Sequence, residues 1–283
     1  IIDSKILPEG SLQVVCGLGR GIIDHVTAEN VVTFTGSAAT GKLLKGLPHI
    51  SQNSVPFNLE ADSLNATILG KYATPGTVEF DLFIKETVKE ITIKAGQKCT
   101  AVRRIIVPED LIDEVQKGIA ARLASTVIGD PSQEGVRMGA LATRLQVDRV
   151  RENVELLHQS NEMVFGDMDN FEVIGADKNK GAFFSPILFR NNDPFTNLAC
   201  HDIEAFGPVA TIMPYKEIDD AIEIAKLGKG SLVSSIVTPN DKEATEYVVG
   251  AACMHGRILV LNKDCAKEST GHGSPMPLLT HGG

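Results

Sequence analysis

Lys94-Ala95-Gly96-Gln97-Lys98-Cys99-Thr100-Ala101 sets one cysteine on a glycine-initiated turn, with an amphipathic run before it and an apolar run after it. Upstream, apolar Phe80, Phe83, Val88 and Ile91 recur at spacings of three to five, which predicts a helix ending at Gly96. Downstream, Val102 to Val107 reads as a strand stopped by Pro108, and Leu111, Val115, Ile119 and Leu123 mark a further helix. A thiol delivered by a helix, turn and strand reads as a nucleophile. An ordinary thiol of pKa ~8.5 is only a few per cent thiolate at neutral pH, so it needs a base, a dipole or a cation. Lys94, Lys98, Arg103 and Arg104 are the cations near Cys99 in sequence and are expected to lower its pKa. The competing reading is a small buried hydrophobe, and it is the one adopted for Cys16, Cys200, Cys253 and Cys265.

Outward from the cysteine the same rhythm continues. Helices are expected over 145–157, 218–225 and 244–253, and strands near 209–213, 232–237 and 258–261. Toward the N-terminus, strand signals at Leu12 to Cys16, Val31 to Phe34 and Ala66 to Leu69 alternate with helical or glycine-rich stretches. Ile1 to Leu7 reads as the tail of a helix. Alternation of this kind argues for βαβ units and a parallel sheet, hence an α/β fold. Residues 1–78 are expected to form one domain, 79–262 a second, and 263–283 an irregular tail returning toward the first.

Composition bounds the function. The chain has 283 residues, 43% hydrophobic and 22% charged, with a formal charge of −9. No basic run interleaved with aromatics is present, which argues against nucleic acid as a partner. No apolar run approaches the ~20 residues that span a bilayer, so no membrane partner is expected. The five cysteines form no C-x-x-C pair, so neither a metal site nor a disulfide framework is expected, and a reducing cytoplasm is the expected location.

Phe57-Asn58-Leu59-Glu60-Ala61-Asp62-Ser63-Leu64-Asn65 carries a second group of interest. Glu60 has apolar neighbours Val55, Pro56, Phe57, Leu59 and Ala61, and a partly desolvated carboxylate is suited to taking a proton from water. Alternatively, Glu60 is a strand-end or helix-start residue satisfied by local N–H donors. Phe34-Thr35-Gly36-Ser37-Ala38-Ala39-Thr40-Gly41-Lys42 follows a strand and opens a helix, which aims backbone N–H groups at an anion. Its spacing matches most of a P-loop, yet Leu43 stands where a magnesium-binding Ser or Thr is required. Gly17-Leu18-Gly19-Arg20-Gly21 likewise fails as a dinucleotide fingerprint, because Ile22 takes the last glycine's place. Glycines that merely close tight βα turns are the alternative for both.

Phe34-Thr35-Gly36-Ser37 through Gly41, Leu59-Glu60, Gly96-Gln97-Lys98-Cys99 and Glu204-Ala205-Phe206-Gly207-Pro208 stand in the order found in aldehyde dehydrogenases, which the chain resembles along nearly its whole length. Glu60 to Asn65, Lys94 to Ala101 and Glu268 to Pro275 resemble, more narrowly, the dehydrogenase part of bifunctional ring-opening proteins of phenylacetate degradation. The resemblance implies a partial Rossmann-type cofactor domain joined to an α/β catalytic domain, with NADP, or NAD, as cofactor. It implies Cys99 as nucleophile, Glu60 as the base for water, Gly36 and Ser37 beside the cofactor's diphosphate, Glu204 on the nicotinamide ribose and Phe206 beside the ring. The substrate implied is a small-molecule aldehyde, free or carried on coenzyme A, oxidised to the acid by a homo-oligomer when full length.

Two alternatives stay open: a CoA-acylating dehydrogenase, which Glu60 counts against, and a non-catalytic nucleotide-binding or assembly module. Family members read Glu-Leu-Gly-Gly where this chain has Glu60-Ala61-Asp62-Ser63. They also carry a long region before the point matching Ile1, with the oxyanion-hole asparagine, so the sequence is expected to be a piece truncated at both ends whose own activity the sequence leaves open.

Overall fold

The computed structural model describes residues 4, 6–17, 21–267 and 271–273, which fall into two compact units meeting between Asp62 and Ser63. That division lies ahead of the boundary expected after residue 78. The expected helix tail at Ile1 to Leu7, the Gly17 to Gly21 stretch and the closing tail fall wholly or partly outside the described residues.

The first unit is built on a parallel pair, β1 (Val32–Thr35) and β2 (Phe57–Glu60), in the register Val32↔Phe57 to Thr35↔Glu60. Between them run α1 (Ala38–Lys45) and α2 (Pro48–Gln52). Ser37 starts α1 by accepting the Thr40 N–H at 3.3 Å. Pro48 opens α2 at a position where its missing N–H costs nothing. Gly41 lets α1 lie close on β2, because a Cβ there would fall 2.4 Å from Leu59 Cδ1. The strand expected over Leu12 to Cys16 does not form: the segment is irregular and Leu12, Val14 and Val15 are exposed. Its apolar run has no partner strand among the described residues, and an isolated strand leaves its backbone unpaired.

The second unit holds, in chain order, β3 (Ala66–Leu69), α3 (Val78–Thr92), β4 (Arg104–Pro108), α4 (Ile112–Ala124), α5 (Arg144–His158), β5 (Glu162–Phe165), β6 (Ile187–Arg190), α6 (Ala199–Asp202), β7 (Val209–Tyr215), α7 (Ile218–Lys226), β8 (Ser234–Val237), α8 (Asp241–Ala251) and β9 (Ile258–Leu261). Its seven strands lie in the order β5-β6-β7-β4-β3-β8-β9. Every pairing is parallel except β5 with β6. Strands buried on both faces read as near-continuous apolar runs whose alternate residues serve opposite layers. Ile105, Val107 and Ile212 join Phe83, Val88, Ile91, Val115 and Ile119 of α3 and α4 in one core. Ile106, Met213 and Ile236 join Val147, Val150, Val154, Ile222 and Tyr247 of α5, α7 and α8 in the other. Among the described residues no helix is long and apolar enough to cross a membrane.

Arg104 opens the central strand and is fully buried. Its guanidinium donates to Leu64 O, Ile224 O and Ala225 O, each at 2.9 Å, and meets His201 Nδ1 at 3.1 Å. A planar fork of five N–H groups can serve these divergent acceptors together, whereas an ammonium cannot. Arg104→Lys is therefore expected to leave buried carbonyls unpaired and to lower unfolding free energy by about 3 kcal/mol, read as a fall in urea midpoint at unchanged m-value.

Candidate active site

Thr77 caps α3 by accepting the Phe80 N–H at 3.2 Å, and Glu79 and Asp81 in the first turn favour that end of the helix dipole. The α-helix stops at Thr92, short of the expected end at Gly96, and a tight turn follows in which Lys94 and Ala95 both have φ of 52° and Gly96 has φ of 71°. Left-handed geometry costs a non-glycine residue on the order of 1 kcal/mol or more, so the surroundings must hold it. At Gly96 a side chain is excluded twice over, since a Cβ would lie 2.1 Å from Gly207 O. Gln97 fastens the turn from one side: its Oε1 accepts from Ala142 N–H at 2.7 Å and its Nε2 donates to Phe206 O at 3.1 Å. Asn65, fully buried, fastens it from another by donating to Cys99 O at 2.8 Å and Ala101 O at 2.9 Å. The Cys99 side chain is thereby presented half-buried on a braced backbone.

Arg103 joins this turn to the loop carrying Glu204 and Phe206. Its Nε donates to Glu204 Oε1 at 3.0 Å, Nη1 to Gly207 O at 2.8 Å and Nη2 to Gly96 O at 2.9 Å. Glu204 also accepts Ser63 N–H at 3.0 Å, and Asn153 of α5 holds Glu204 O at 3.0 Å. Both charges are buried, with side-chain exposures of 3% and 5%. The Phe206 ring lies 5.4 Å from the guanidinium and stays 37% exposed. Cys99, Glu204 and Phe206 are thus parts of one framework in the second unit.

The cations expected to activate Cys99 are mostly committed elsewhere, a correction to the sequence reading. Arg104 is spent on carbonyls of α7, Arg103 on Glu204 and backbone carbonyls, and Lys98 pairs with Glu90 at 2.8 Å. Burial of Glu90 raises its carboxyl pKa, and Lys98 acts against that rise. Nor are all the other cysteines buried hydrophobes: Cys200 is buried, with burial raising its pKa, but Cys16 and Cys253 are exposed and Cys265 half-buried. The described residues contain no group of three or more His, Cys, Asp or Glu able to hold a metal ion.

Glu60, Gly36 and Ser37 belong to the first unit. Glu60 ends β2 half-buried, and its carbonyl accepts Gly36 N–H at 3.1 Å, which closes the β1 end of the turn. At Gly36 a Cβ would fall 2.6 Å from Phe34 Cζ, so a side chain there would push the Phe34 ring aside. The first turn of α1 is already engaged, Ala38 N–H donating to Asp62 Oδ1 at 3.1 Å and Thr40 N–H to Ser37 Oγ at 3.3 Å. Gly41 and Lys42 lie inside α1, so Gly36 to Lys42 is no open loop that could wrap a triphosphate, and the P-loop reading is dropped.

Comparison with known proteins adds the following. The aldehyde dehydrogenase family model matches residues 1–268. A 3,4-dehydroadipyl-CoA semialdehyde dehydrogenase of Aromatoleum evansii is 42% identical over 283 residues, covering 100% of this chain and 55% of that protein. Protein MaoC of Klebsiella aerogenes is 44% identical over 147 residues, 52% of this chain and 42% of that protein. Betaine aldehyde dehydrogenase from Staphylococcus aureus, solved in complex with NAD+, superposes with a TM-score of 0.70 at 21% identity, covering 81% of this chain and 43% of that one. At that identity the likeness shows the fold alone. The chain spans about half the length of the curated relatives it matches.

Two outcomes follow from the geometry. Arg103→Met should leave Glu204 buried without its cation and cost about 3–5 kcal/mol in denaturant unfolding, while Arg103→Met combined with Glu204→Gln should recover much of that loss. Burial, with Arg104 adding to it, lowers the His201 pKa from 6.5 to about 4, so folding excludes a proton that the unfolded chain binds. The stability His201 confers is complete above pH 6.5 and is lost as pH falls toward 4. His201→Gln should therefore flatten the stability–pH slope between about pH 6 and 4.5 by about 1.4 kcal/mol per unit.

Proposed function

Because the chain belongs to the aldehyde dehydrogenase family, we propose that it supplies the nucleophile, the deacylating base and part of the cofactor cradle for NAD(P)-dependent oxidation of an aldehyde to a carboxylic acid. The observation that carries this reading is the half-buried thiol of Cys99 on a turn fastened by Asn65, Gln97 and Arg103. A nucleophile so fixed meets its target without reordering itself during attack.

In this mechanism Cys99 Sγ adds to the carbonyl carbon and the oxygen becomes an alkoxide of a tetrahedral thiohemiacetal. The backbone N–H of Cys99 donates to that oxygen. NAD(P)+, when bound beside Phe206 and Glu204, would supply the two-electron acceptor for the hydride that leaves the same carbon. A thioester on Cys99 remains. Glu60 takes a proton from water, the resulting hydroxide adds to the thioester carbonyl, and collapse expels the Cys99 thiolate with release of the acid.

For the cofactor, Phe206 offers an exposed apolar ring. Glu204, held by Arg103 and the Ser63 N–H, is assigned with Phe206 to the nicotinamide riboside, as the family resemblance implies. Gly36 and Ser37 are assigned to the diphosphate, which would share the first turn of α1 with Asp62. The likeness to the semialdehyde dehydrogenase of Aromatoleum evansii supports a CoA-linked semialdehyde as substrate. A place in phenylacetate degradation is proposed on the sequence resemblance alone. A cytoplasmic homo-oligomer is the assembly proposed.

The test is covalent capture. Mixed with NADP or NAD and the semialdehyde, Glu60→Gln should accumulate an acyl mass increment on Cys99 and slow steady turnover by about 100-fold or more, while Cys99→Ala should show neither adduct nor turnover. Turnover surviving in Cys99→Ala, or unchanged in Glu60→Gln, removes the corresponding role. A product carried as acyl-CoA rather than free acid would favour the acylating alternative.

A further inference from the structure

Residues 271–273 lie far along the chain from the cysteine, yet they reach it from behind. Thr100 Oγ1 donates to His272 O at 2.7 Å, and His272 Nδ1 lies 3.1 Å from Thr100 O. The two residues therefore bind each other in both directions. A carbonyl can only accept, so Nδ1 must carry the ring proton and Nε2 must accept. The partner of Nε2 is Ser235 Oγ on β8 at 2.7 Å, itself 2.8 Å from Thr67 Oγ1 on β3, and two rotatable hydroxyls supply the proton Nε2 needs. The backbone N–H of His272 donates to Glu90 Oε1 at 3.1 Å, and Lys98 Nζ lies 3.0 Å and 2.8 Å from the two Glu90 oxygens. Both residues flanking Cys99 are thus tied to the same short segment, Thr100 directly and Lys98 through Glu90.

Packing makes the tie stiff. His272 is buried, and the cavity it shares with Thr67, Phe83, Thr87 and Glu90 has a volume of ≈ 10 Å³. That is about one probe sphere and leaves an imidazole no room to turn over. Gly271 adopts φ of 64°, and a Cβ there would fall 2.5 Å from Glu90 Oε1, so this approach to the carboxylate is open only to glycine. Burial lowers the ring's pKa to about 3, which keeps it neutral and keeps Nε2 an acceptor.

We propose that His272 is a positioning residue for the Cys99 nucleophile, the segment 271–273 acting as a clamp that fixes both neighbours of the thiol. The proposal rests on the reading of Cys99 as the nucleophile and goes beyond it, since none of the residues assigned to the reaction lies in this segment.

The experiment is brief iodoacetamide treatment near neutral pH with the alkylation rate resolved at each cysteine, exposed Cys16 and Cys253 serving as controls within the same molecule. In the unaltered protein Cys99 should react far faster than either control. In His272→Leu and Thr100→Val its advantage should fall by at least about tenfold while the controls hold their rates. His272→Asn should restore most of it, because the asparagine amide can donate from near the Nδ1 position to Thr100 O whereas leucine cannot. Should His272→Leu fail to fold, Ser235→Ala and Thr100→Val test the clamp with the ring in place. Equal Cys99 rates in the unaltered protein, Thr100→Val and Ser235→Ala would overturn the clamp and leave the nucleophile standing. Lack of rescue by His272→Asn in a folded protein would overturn the positioning role of the imidazole. A Cys99 no faster than Cys16 and Cys253 in the unaltered protein would remove the nucleophile, and the clamp with it.

Discussion

The guanidinium of Arg103 is the interaction on which the rest of the second unit's site depends. One planar group ties two segments: the left-handed turn through Gly96 O, and the loop 204–207, distant in sequence, through Gly207 O and the carboxylate of Glu204. Removing two charges from water costs several kcal/mol per ion, and such a pair is tolerable only when the remaining donors and acceptors are filled. Here the filling comes from backbone carbonyls, so the cost of burying the charge is met by the same bonds that hold Lys94, Ala95 and Gly96 in conformations they would not adopt alone. Charge, strain and loop geometry form one problem with one solution.

How much of this could be read in the sequence varies with the physical origin of each element. Leu111, Val115, Ile119 and Leu123 fall on one helical face because α4 has one buried side, and all four are buried. The strand expected over 258–261 is observed with those bounds, an apolar run closed on both sides by polar residues. β5 and β6 were not legible. β5 pairs antiparallel with β6 at a sheet edge, where a βαβ rhythm predicts nothing. The alternation of strand and helix was enough for the α/β class, but it carried no information on which strands become neighbours.

Within the site, Cys99 stood out by its residue type on a glycine turn, and the Glu204-Ala205-Phe206-Gly207-Pro208 loop only through the resemblance to aldehyde dehydrogenases. The residues that hold them were missed or misread. Arg103 and Arg104 looked like cations for a thiol, and they are structural forks, one filled by Glu204 and the carbonyls of Gly96 and Gly207, the other by carbonyls of α7. A signal was available: two arginines at the head of a strand apolar throughout, Ile105-Ile106-Val107, have only buried partners to choose from. Asn65 offered a weaker signal as a lone amide before Ala66-Thr67-Ile68-Leu69. His272 offered none, since a histidine between two glycines in a stretch without periodicity reads as loop, and its bonds to Thr100 and Ser235 are set by tertiary packing.

The placing of Arg103 and Arg104 side by side has a consequence for how the sheet assembles. Both backbone N–H groups reach Asn65 O, while one side chain enters the nucleophile's framework and the other the layer of α7. Sliding this strand by one residue along β3 would exchange the two faces and drive each arginine into an apolar layer without its carbonyls. The adjacent arginines act as a key that fits only one pairing. The residue that organises the site therefore also helps to set which pairing the sheet accepts.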